Sequence, residues 1–473
     1  MQDNIRASKN LNISLGLRWD PFIPYSDELG RTECFLPGQQ STRFPKAPTG
    51  YLFAGDKSCP AGGSESTWWN LSPRIGFAYN MGAKRSPVLR GGVGVFYQPP
   101  FVEAYNNMVD SAPFSPQILR FGIPFSNPYQ GIRNPFPAEY APFVPGPDVN
   151  FDLPLGLAVS YAHDWKPART ISYNIALEHQ LRGDILVRAA FVGSKGTHLG
   201  FNTDVNAARV YPGSFDVDPQ TRRPYQQFGQ ITQNISGANS NYNSMQLSFD
   251  KRFSHGFTLG ANYTWSRSLD WFSYLTDLDG INVINPFNFR AYRGVSDFNV
   301  PHRLIVNYVW QLPSPGNGTL RAVFGGWETS GLWNWQSGFP LNITSGDERS
   351  GTNIGNDQAD VLSTPHYTDG SKSQKLAKWF TTESFALAKL ETFGNVGRNT
   401  LIGPGTFNVD FSAHKSFHFT ERWRLEYRAE FFNVLNHANF NNPNTSVSAS
   451  SSFGRITSAR EPRIIQMALK LYF

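Results

Sequence analysis

The amino-acid sequence predicts an all-β fold, an antiparallel transmembrane β-barrel of about twelve strands with long loops. The chain ends in a strand with one wholly apolar face, and eleven further segments alternate between apolar and polar residues. The connections between these segments are alternately long and short. Transmembrane barrels show these three features, because their strands alternate between lipid and lumen and their turns differ in length on the two sides of the membrane. We expect a single barrel domain over residues 1–473.

The final segment, residues 464–473, shows the alternation most clearly. From 465 onward its odd-numbered residues are all apolar, whereas Gln466 and Lys470 lie among the even-numbered ones. Successive side chains of a strand point to opposite faces. A soluble protein would bury the apolar face against a second layer, but a membrane barrel turns that face to lipid and keeps Gln466 and Lys470 in a wet lumen.

The other segments show the same period of two. The clearest hairpin joins residues 242–253 to 257–268 through Ser254, His255 and Gly256, a tight turn. We also expect Phe339 to Thr344 to extend the ninth strand beyond a kink at Gly338. The predicted strands are residues 11–19, 74–80, 88–97, 172–180, 184–194, 242–253, 257–268, 302–312, 326–336, 406–417, 422–433 and 464–473.

Long and short connections alternate without exception between the predicted strands. Repeated crossing of one membrane produces such an alternation, whereas nothing sorts the connections of a soluble β-sandwich into two length classes. No stretch approaches the roughly 20 consecutive apolar residues of a membrane-spanning helix, so helical membrane proteins are excluded. The predicted long connections are residues 20–72, 98–170, 195–241, 269–301, 345–405 and 434–462.

Composition agrees with this fold and limits the partners. Aromatic residues make up 15% of the chain and charged residues only 16%, with a mean hydropathy of −0.38, a mixture that suits aromatic girdles, apolar rows and wet loops. The net charge of +6 and pI of about 9.1 come from scattered Lys and Arg residues. A nucleic-acid-binding protein would cluster these residues, so we predict contact with anionic lipid headgroups and no nucleic-acid partner.

Charged side chains of the strands should face the lumen, because a Lys or Arg that faces lipid at the bilayer midplane costs about 2–4 kcal/mol. Lys415 is an exception on an apolar face, and we expect its amine to reach the membrane interface from a strand end. The predicted lumen-facing polar row consists of Asp410, Ser412, His414, Arg424, Glu426, Arg428 and Glu430.

Part of this row also resembles the residue set of a hydrolase, in which a serine is activated by a histidine that an acid orients. Residues two apart on a strand, such as Ser412 and His414, lie roughly 7 Å apart. That distance is too long for a direct hydrogen bond between the two side chains. We therefore expect no catalytic residues and no enzyme activity.

Two acidic groups in the predicted loops carry oxygen ligands of the kind that Ca²⁺ prefers. Neither group has the spacing of an EF-hand. Solvated loop charge is the expectation, with no metal and no cofactor. The groups are Asp277 with Asp279, and Asp347 with Glu348, Asp357 and Asp360.

The two cysteines, Cys34 and Cys59, lie in one stretch rich in Gly, Pro and Ser. This position fits a disulfide within the first long loop of a protein in an oxidising compartment. Two free thiols are the alternative.

Seven aromatic residues are interpreted as a girdle at the membrane interface and, secondarily, as contacts for a ligand on the loop side. They are Trp68, Trp69, Tyr97, Trp265, Trp310, Trp333 and Trp335.

Several segments together resemble the C-terminal barrel of Oar-like TonB-dependent receptors, and they extend over most of the chain. They are residues 191–199 (FVGSKGTHL), 242–270 (YNSMQLSFDKRFSHGFTLGANYTWSRSLD), 297–313 (DFNVPHRLIVNYVWQLP), 325–343 (GGWETSGLWNWQSGFPLNI) and 403–440, which ends in FFNVLNHANF. The end of the chain also resembles the signal by which bacterial barrel-assembly machinery recognises its clients. Its positions are Gln466, Ala468, Leu469, Leu471 and Phe473.

The resemblance implies a plugged 22-stranded transporter of the Gram-negative outer membrane, energised through TonB. It also implies that the chain is the C-terminal half of such a barrel, since we find no signal peptide, regulatory-like domain, TonB box, plug or first group of strands. The expected partners are outer-membrane lipid, the barrel-assembly machinery, TonB through the missing plug, and a bulky ligand.

The leading functional hypothesis is therefore an outer-membrane receptor that takes up or binds a bulky nutrient with its long loops. A complete twelve-stranded barrel that acts as a passive channel or a membrane hydrolase is the alternative of a different class, and a surface adhesin is the third.

Overall fold

A wall of thirteen strands, each antiparallel to the next along the chain, is the main element of the computed structural model. The structure describes residues 1–82, 86–99, 102–109, 111–115, 123–130, 145–273, 283, 285–314, 316 and 318–473. The wall strands are β1 (Gln2–Arg6), β2 (Leu11–Trp19), β3 (Leu71–Asn80), β4 (Val88–Gln98), β5 (Ala168–Gln180), β6 (Ile185–Asp204), β7 (Phe228–Ser254), β8 (Phe257–Asp270), β9 (His302–Gln311), β10 (Trp327–Gln336), β11 (Thr406–His418), β12 (Arg424–Phe432) and β13 (Ile464–Tyr472).

The twelve predicted strands are all present, and the structure adds β1 in front of them. β1 pairs with β2 from Gln2 opposite Gly16 to Arg6 opposite Asn12. Its five residues, QDNIR, contain a single apolar side chain, so this segment carries no alternation that would predict a strand. The alternation of connections continues through the added strand, because β1 and β2 are joined by the short segment 7–10.

The prediction of a loop over residues 195–241 is wrong at both ends. β6 continues to Asp204 and β7 begins at Phe228, which gives strands of 20 and 27 residues. Because a transmembrane strand needs about 9–11 residues, the two strands project beyond the bilayer as a ribbon. The ribbon has no lipid-facing side, so its residues lack the apolar alternation of the membrane part. Leu155–Tyr161 adds to β7 as a parallel strand.

Aromatic rings on the apolar face of the wall lie across glycines of the neighbouring strand. A Cβ atom at Gly331 would lie 2.4 Å from the ring of Tyr308, and one at Gly193 would lie 2.3 Å from the ring of Tyr173. Each glycine is opposite its aromatic partner in the strand register. Glycine normally weakens a strand, but at these positions it makes room for a ring to lie flat on the wall.

The wall is open at both ends in the part of the chain that the structure describes. β1 pairs with β2 alone and β13 pairs with β12 alone, so the first and last strands do not meet. Each leaves one row of backbone N–H and C=O groups without a strand partner. The fold is thus a partial antiparallel barrel.

The six long connections leave the same end of the wall, because the strands alternate in direction. We name them L1 (20–70), L2 (99–167), L3 (205–227), L4 (271–301), L5 (337–405) and L6 (433–463). None of the described helices is both long and apolar enough to cross a membrane. The helices are α1 (Val102–Val109) in L2, α2 (Pro219–Arg222) in L3, α3 (Thr319–Phe324) in the connection 312–326 and α4 (Lys372–Ala377) in L5, with 3-10 turns at Phe289–Tyr292 and Thr382–Ser384.

Short strand pairs order the long connections internally. Glu33–Phe35 pairs with Tyr51–Phe53 in L1, and Asp360–Val361 pairs with Phe385–Ala386 in L5. The expected extension of a wall strand over Phe339 to Thr344 is wrong, because Pro340–Leu341 pairs instead with Leu401–Ile402. Gly294–Val295 in L4 pairs with the end of β8.

Lys415 lies near a strand end as predicted, opposite Trp327 at the start of β10, but its amine is covered by protein. Its side chain is buried, and its Nζ donates a hydrogen bond of 2.9 Å to the backbone oxygen of Val323 in α3. The same amine lies 4.8 Å from the ring centroid of Phe417 and 5.7 Å from that of Trp327. Helix α3 therefore covers this charge on the apolar face.

Candidate functional site

The outer ends of L1 and L2 share an aromatic core. Phe44 packs edge-on against Phe53 at 4.7 Å and against Phe114 at 5.7 Å, and all three rings are buried. Phe228 from the start of β7 and Leu155 from the added parallel strand belong to the same cluster. The first two long connections and the projecting ribbon therefore form one packed unit.

L5 and L6 share a second core. Phe380 packs against Phe385 at 5.7 Å and against Phe453 of L6 at 5.4 Å. Leu341 and Ile343, which continue from the top of β10, complete the cluster and are almost fully buried. This packing orders the largest connection, L5, on the outer end of the wall.

Two buried arginines tie L3, L4 and L5 together. Arg222 of α2 donates to the backbone oxygens of Arg209 and, across to L5, of Gly351. Arg398 of L5 forms an ion pair with Asp270 at the end of β8 and donates to the backbone oxygen of Val295 in L4 at 3.1 Å. A guanidinium that donates several hydrogen bonds in a buried position fixes the geometry of its partners.

Exposed apolar side chains from the same three connections lie on the outside of this unit. Phe215 of L3 donates its backbone N–H to the Glu391 carboxylate of L5 at 3.0 Å. Phe393 of L5 packs against Phe287 of L4 with a centroid distance of 6.1 Å. Phe215, Leu390 and Phe287 are 36%, 46% and 56% exposed. We give the name loop patch to Phe215, Phe287, Leu390 and Phe393, which lie at or next to the two contacts that L3 and L4 make with the L5 segment 390–393.

A cavity of about 870 Å³ lies against strands β4 to β8. Its lining combines Ala190 and Ser244 of the wall with Asn399 of L5. The lining also includes Ile175 and Met245 of the apolar face, so the cavity is continuous with the surface that meets lipid. We assign no ligand to it.

The charges of the predicted polar row pair along β12. Arg428 lies between two carboxylates of its own strand, with Nη2 2.9 Å from Glu426 Oε1 and Nη1 3.9 Å from Glu430 Oε1. Across to β13, Tyr472 donates its hydroxyl to Glu426 at 3.3 Å, and its ring lies 4.2 Å from the guanidinium of Arg424. The register places all of these side chains on one face of the wall.

The polar residues of β11 make contacts with their neighbours on the wall. His414 Nε2 lies 3.4 Å from Glu328 Oε1 of β10. Asp410 accepts hydrogen bonds from the Asn408 amide at 2.7 Å and from the backbone N–H of Asn433 at 2.9 Å. Ser412 lies opposite Glu430 in the register. These partners agree with a polar wall surface, which stays our interpretation of Asp410, Ser412 and His414.

The acidic residues of L5 stabilise a turn. Asp357 is fully buried and accepts backbone N–H bonds from Arg349 at 2.6 Å and Ser350 at 2.7 Å. Burial raises the pKa of its carboxyl, and the charge of Glu348 contributes in the same direction. Within the described residues, no three His, Cys, Asp or Glu side chains are grouped so that they could hold a metal ion. Asp277 and Asp279 lie outside the described residues.

The C-terminal residues extend along the open edge of the wall. Leu469 and Phe473 are 68% and 77% exposed on the apolar face, and the ring of Phe473 stacks on that of Trp423 at 5.6 Å. Gln466 and Ala468 lie opposite Glu430 and Arg428 on the other face. Recognition of Gln466, Ala468, Leu469, Leu471 and Phe473 by assembly machinery stays a prediction.

The tryptophans of the predicted girdle lie at the surface. The six of them, Trp68, Trp69, Trp265, Trp310, Trp333 and Trp335, are between 41% and 86% exposed. Trp333 lies opposite Val306 in the middle of β9, which is not the depth of an interface girdle. The structure adds Trp19, which is 58% exposed and donates its indole N–H to the backbone oxygen of Trp68. A position where the ring meets lipid and the indole N–H meets a polar group is typical of the membrane interface.

Cys34 and Cys59 form a disulfide in L1, with a Cα–Cα distance of 5.6 Å. Both residues are buried, together with Leu52, in a small cluster of their own. We expect peptide mapping of the protein from outer membranes, without reduction, to recover the two cysteines in one cross-linked peptide pair. Recovery of both as free thiols would contradict the assignment.

Sequence reasoning predicted the loops as the ligand-facing surface but did not predict the loop patch. Its residues lie in three connections that are up to about 180 positions apart, and each is a single apolar residue among polar ones. The hydrogen bonds of Arg222 and Arg398 are among the contacts that bring L3, L4 and L5 together. The abundance of Phe and Tyr in otherwise polar loops is the one available signal.

The fold and the arrangement of its connections define an integral β-barrel protein of the outer membrane. The sequence matches the outer membrane beta barrel domain family over residues 1–466, and the chain belongs to that family. It is therefore located in the outer membrane of a Gram-negative bacterium. No protein with a curated description matches the sequence.

Several solved outer-membrane structures are similar to the chain at low identity. The outer membrane transporter YddB from Escherichia coli is 11% identical over 85% of this chain and 41% of its own, with a TM-score of 0.47. The ferric-catecholate import receptor Fiu from E. coli K12 is 11% identical over 100% and 44%, with a TM-score of 0.44. The pyoverdine receptor FpvA from Pseudomonas aeruginosa PAO1 is 10% identical over 99% and 41%, with a TM-score of 0.44. The chain spans less than half the length of each.

Proposed function

We propose that this chain forms part of the wall and the ligand-facing loops of an Oar-like, TonB-dependent receptor that takes up or binds a bulky nutrient. The loop patch carries the proposal. It consists of apolar side chains from three distant connections, of which L3 and L4 each contact the same short segment of L5, on a body that buried arginines hold in place. Exposed apolar patches on a mostly polar surface are typical of binding sites, and a patch built from several loops suits a ligand larger than a single sugar or ion.

A packed outer body favours a receptor over a passive channel. A channel needs an open entrance, whereas here L1 with L2, and L5 with L6, form ordered cores at the outer end of the wall. In the proposed receptor, TonB would supply the energy by acting on a plug within the lumen, and the polar row from Asp410 to Glu430 would face that lumen. The sequence resemblance to Oar-like receptors supports this subtype.

The proposal predicts that truncation of the loop patch impairs uptake. We expect the double variant Phe215→Ala/Leu390→Ala to raise the nutrient concentration for half-maximal growth about 30-fold, because two contact residues at about 1 kcal/mol each change affinity by that factor. The measurement compares a deletion strain with its parent in a panel of media, each limiting for one nutrient, and then restores the gene as wild type or variant. Leu362→Ala, at a residue that is 67% exposed elsewhere in L5, is the control.

Three outcomes decide between the functions. A growth defect of the deletion strain that a tonB deletion reproduces supports the receptor. A defect that appears in the deletion strain but not in the tonB strain would establish a passive channel instead. Growth equal to that of the parent in every medium would contradict a role in uptake.

A further inference from the structure

One buried carboxyl of L1 belongs to none of the surfaces described above. Glu33 is 1% exposed in the strand Glu33–Phe35, and the fully buried Tyr51 lies in the paired strand. The hydroxyl of Tyr51 contacts both Glu33 Oε2 and the backbone oxygen of Ala112. Ala112 belongs to L2, so this chain of three oxygens joins L1 to L2.

The number of hydrogens at Tyr51 determines the protonation of Glu33. A phenol carries one hydrogen, and a backbone carbonyl oxygen can only accept. If Tyr51 donates to Ala112, the contact between Tyr51 and Glu33 requires a hydrogen on the carboxyl. An ionised Glu33 would compete with Ala112 for the single hydrogen of Tyr51. Both contacts are satisfied together only when Glu33 is a neutral carboxylic acid.

The surroundings of Glu33 favour that neutral form. Burial raises the pKa of its carboxyl to about 8, and the hydroxyls of Tyr51 and Ser111 lower it only in part. No Lys, Arg or His side chain is among the groups that act on this carboxyl in the described structure. Helix α1 and the strand Leu155–Tyr161, which contact Glu33–Phe35, carry Tyr105 and Tyr161, and burial raises the pKa of both phenols.

We propose that the neutral Glu33 side chain is a proton-dependent latch, which joins the backbone of Ala112 in L2 to L1 through Tyr51 and loosens this contact when the carboxyl ionises. In the released state, the Glu33 carboxylate would take the hydrogen of Tyr51 and leave the Ala112 oxygen without a donor. A buried carboxylate without a cation is also unfavourable, so ionisation drives water into the contact between the two loops.

The direction of the pH dependence follows from the raised pKa. In the opened loops Glu33 would titrate near its ordinary value of 4.5, and in the closed loops near 8. The closed state is therefore fully favoured below about pH 4.5 and loses stability progressively as the pH rises to about 8. Above that pH the effect is constant. Each unit of difference between the two pKa values changes the closing equilibrium about tenfold.

Limited proteolysis of intact cells tests the latch, because both loops face outward. We expect cleavage within L2 to accelerate at least tenfold between pH 5.5 and pH 8.5 in the wild-type protein. Glu33→Gln, which keeps a donor and cannot ionise, should remain protected at both pH values. Glu65→Gln, an exposed carboxyl in the same loop, is the control for the protease itself and should behave as the wild type does.

A second variant tests the link between Tyr51 and Ala112, and a spectroscopic measurement tests the protonation of Glu33. Tyr51→Phe loses the link to Ala112, so it should be cleaved rapidly at both pH values. In protein purified from the same membranes, the infrared band of protonated carboxyls should weaken as the pH rises, and the Glu33 component of that change should be missing from Glu33→Gln. Wild-type cleavage that does not change with pH, or a pH dependence that Glu33→Gln retains, would overturn the proposal.

Discussion

Replacement of Val306 by arginine is expected to lower the amount of folded protein in the outer membrane at least 30-fold. Val306 lies in the middle of β9, where its neighbours in the register are Ala261 of β8 and Trp333 of β10, all on the apolar face. An arginine that faces lipid at the bilayer midplane costs about 2–4 kcal/mol. That cost is a large fraction of the roughly 5–15 kcal/mol by which a folded domain is stable.

The matched control is Asn307→Arg, one residue further along the same strand. Asn307 is on the polar face, where a Cβ atom at Gly260 would meet its amide oxygen at 2.7 Å. We expect this variant to remain near the wild-type amount, because its guanidinium would enter a hydrated space. The measurement is the fraction of protein in outer membranes that shows heat-modifiable migration on a gel. Equal loss in both variants, or a greater loss with Asn307→Arg, would reverse the assignment of the two faces.

The sequence was sufficient for the part of the fold that the membrane dictates. Within the bilayer each strand must alternate between lipid and lumen, and the twelve predicted strands are those in which this alternation covers seven or more residues. Beyond the bilayer this alternation of apolar and polar residues ends, so it no longer predicts strands. β1 and the outer halves of β6 and β7 lack the sustained alternation of the membrane part, and the few apolar residues of the outer halves, such as Phe201 and Phe228, pack against the loops. Their existence as strands therefore depends on pairing with a neighbour rather than on a pattern in their own residues.

The candidate site was less predictable for a related reason. Several of the contacts that form it are hydrogen bonds of Arg222 and Arg398 to backbone oxygens, and any residue supplies a backbone oxygen. The latch at Glu33 likewise uses the backbone of Ala112. Lys415 shows the same limit, because its partner is the backbone oxygen of Val323. Such partners leave no trace in residue type or spacing.

The two open edges lead to the prediction with the largest expected effect. Between lipid tails each unpaired N–H or C=O group costs several kcal/mol, so the free edges of β1 and β13 together would exceed the stability of a typical domain. The two edge strands, β1 and β13, cannot pair with each other in the antiparallel sense. Since thirteen successive antiparallel strands bring the first and last into the same direction, closure of this wall on itself would require a parallel seam. Bacterial single-chain barrels have even numbers of strands.

We therefore propose that both edges pair with further strands, and that an odd number of them completes the barrel. Nine would give the 22 strands of a plugged transporter. The 473-residue chain expressed by itself in an outer membrane should then fail to form a protease-resistant barrel and be degraded.

Cross-linking of the two edges tests this expectation. The informative pair is Asn4→Cys with Ala468→Cys. With twelve strands, Ser14 would lie on the edge strand and would be the position to test. In the structure Ser14 lies on β2, one strand further in, where its hydroxyl donates a hydrogen bond to the Asn4 side chain of β1 at 2.7 Å. Asn4→Cys with Ser14→Cys, directly opposite in the register, is the positive control and should bridge wherever β1 and β2 are folded. We expect the edge pair to stay unbridged, because each edge either lacks a partner or has a different one. Efficient bridging of Asn4→Cys to Ala468→Cys in a folded, protease-resistant monomer would show that the chain closes on itself, and would favour the small passive barrel over the receptor.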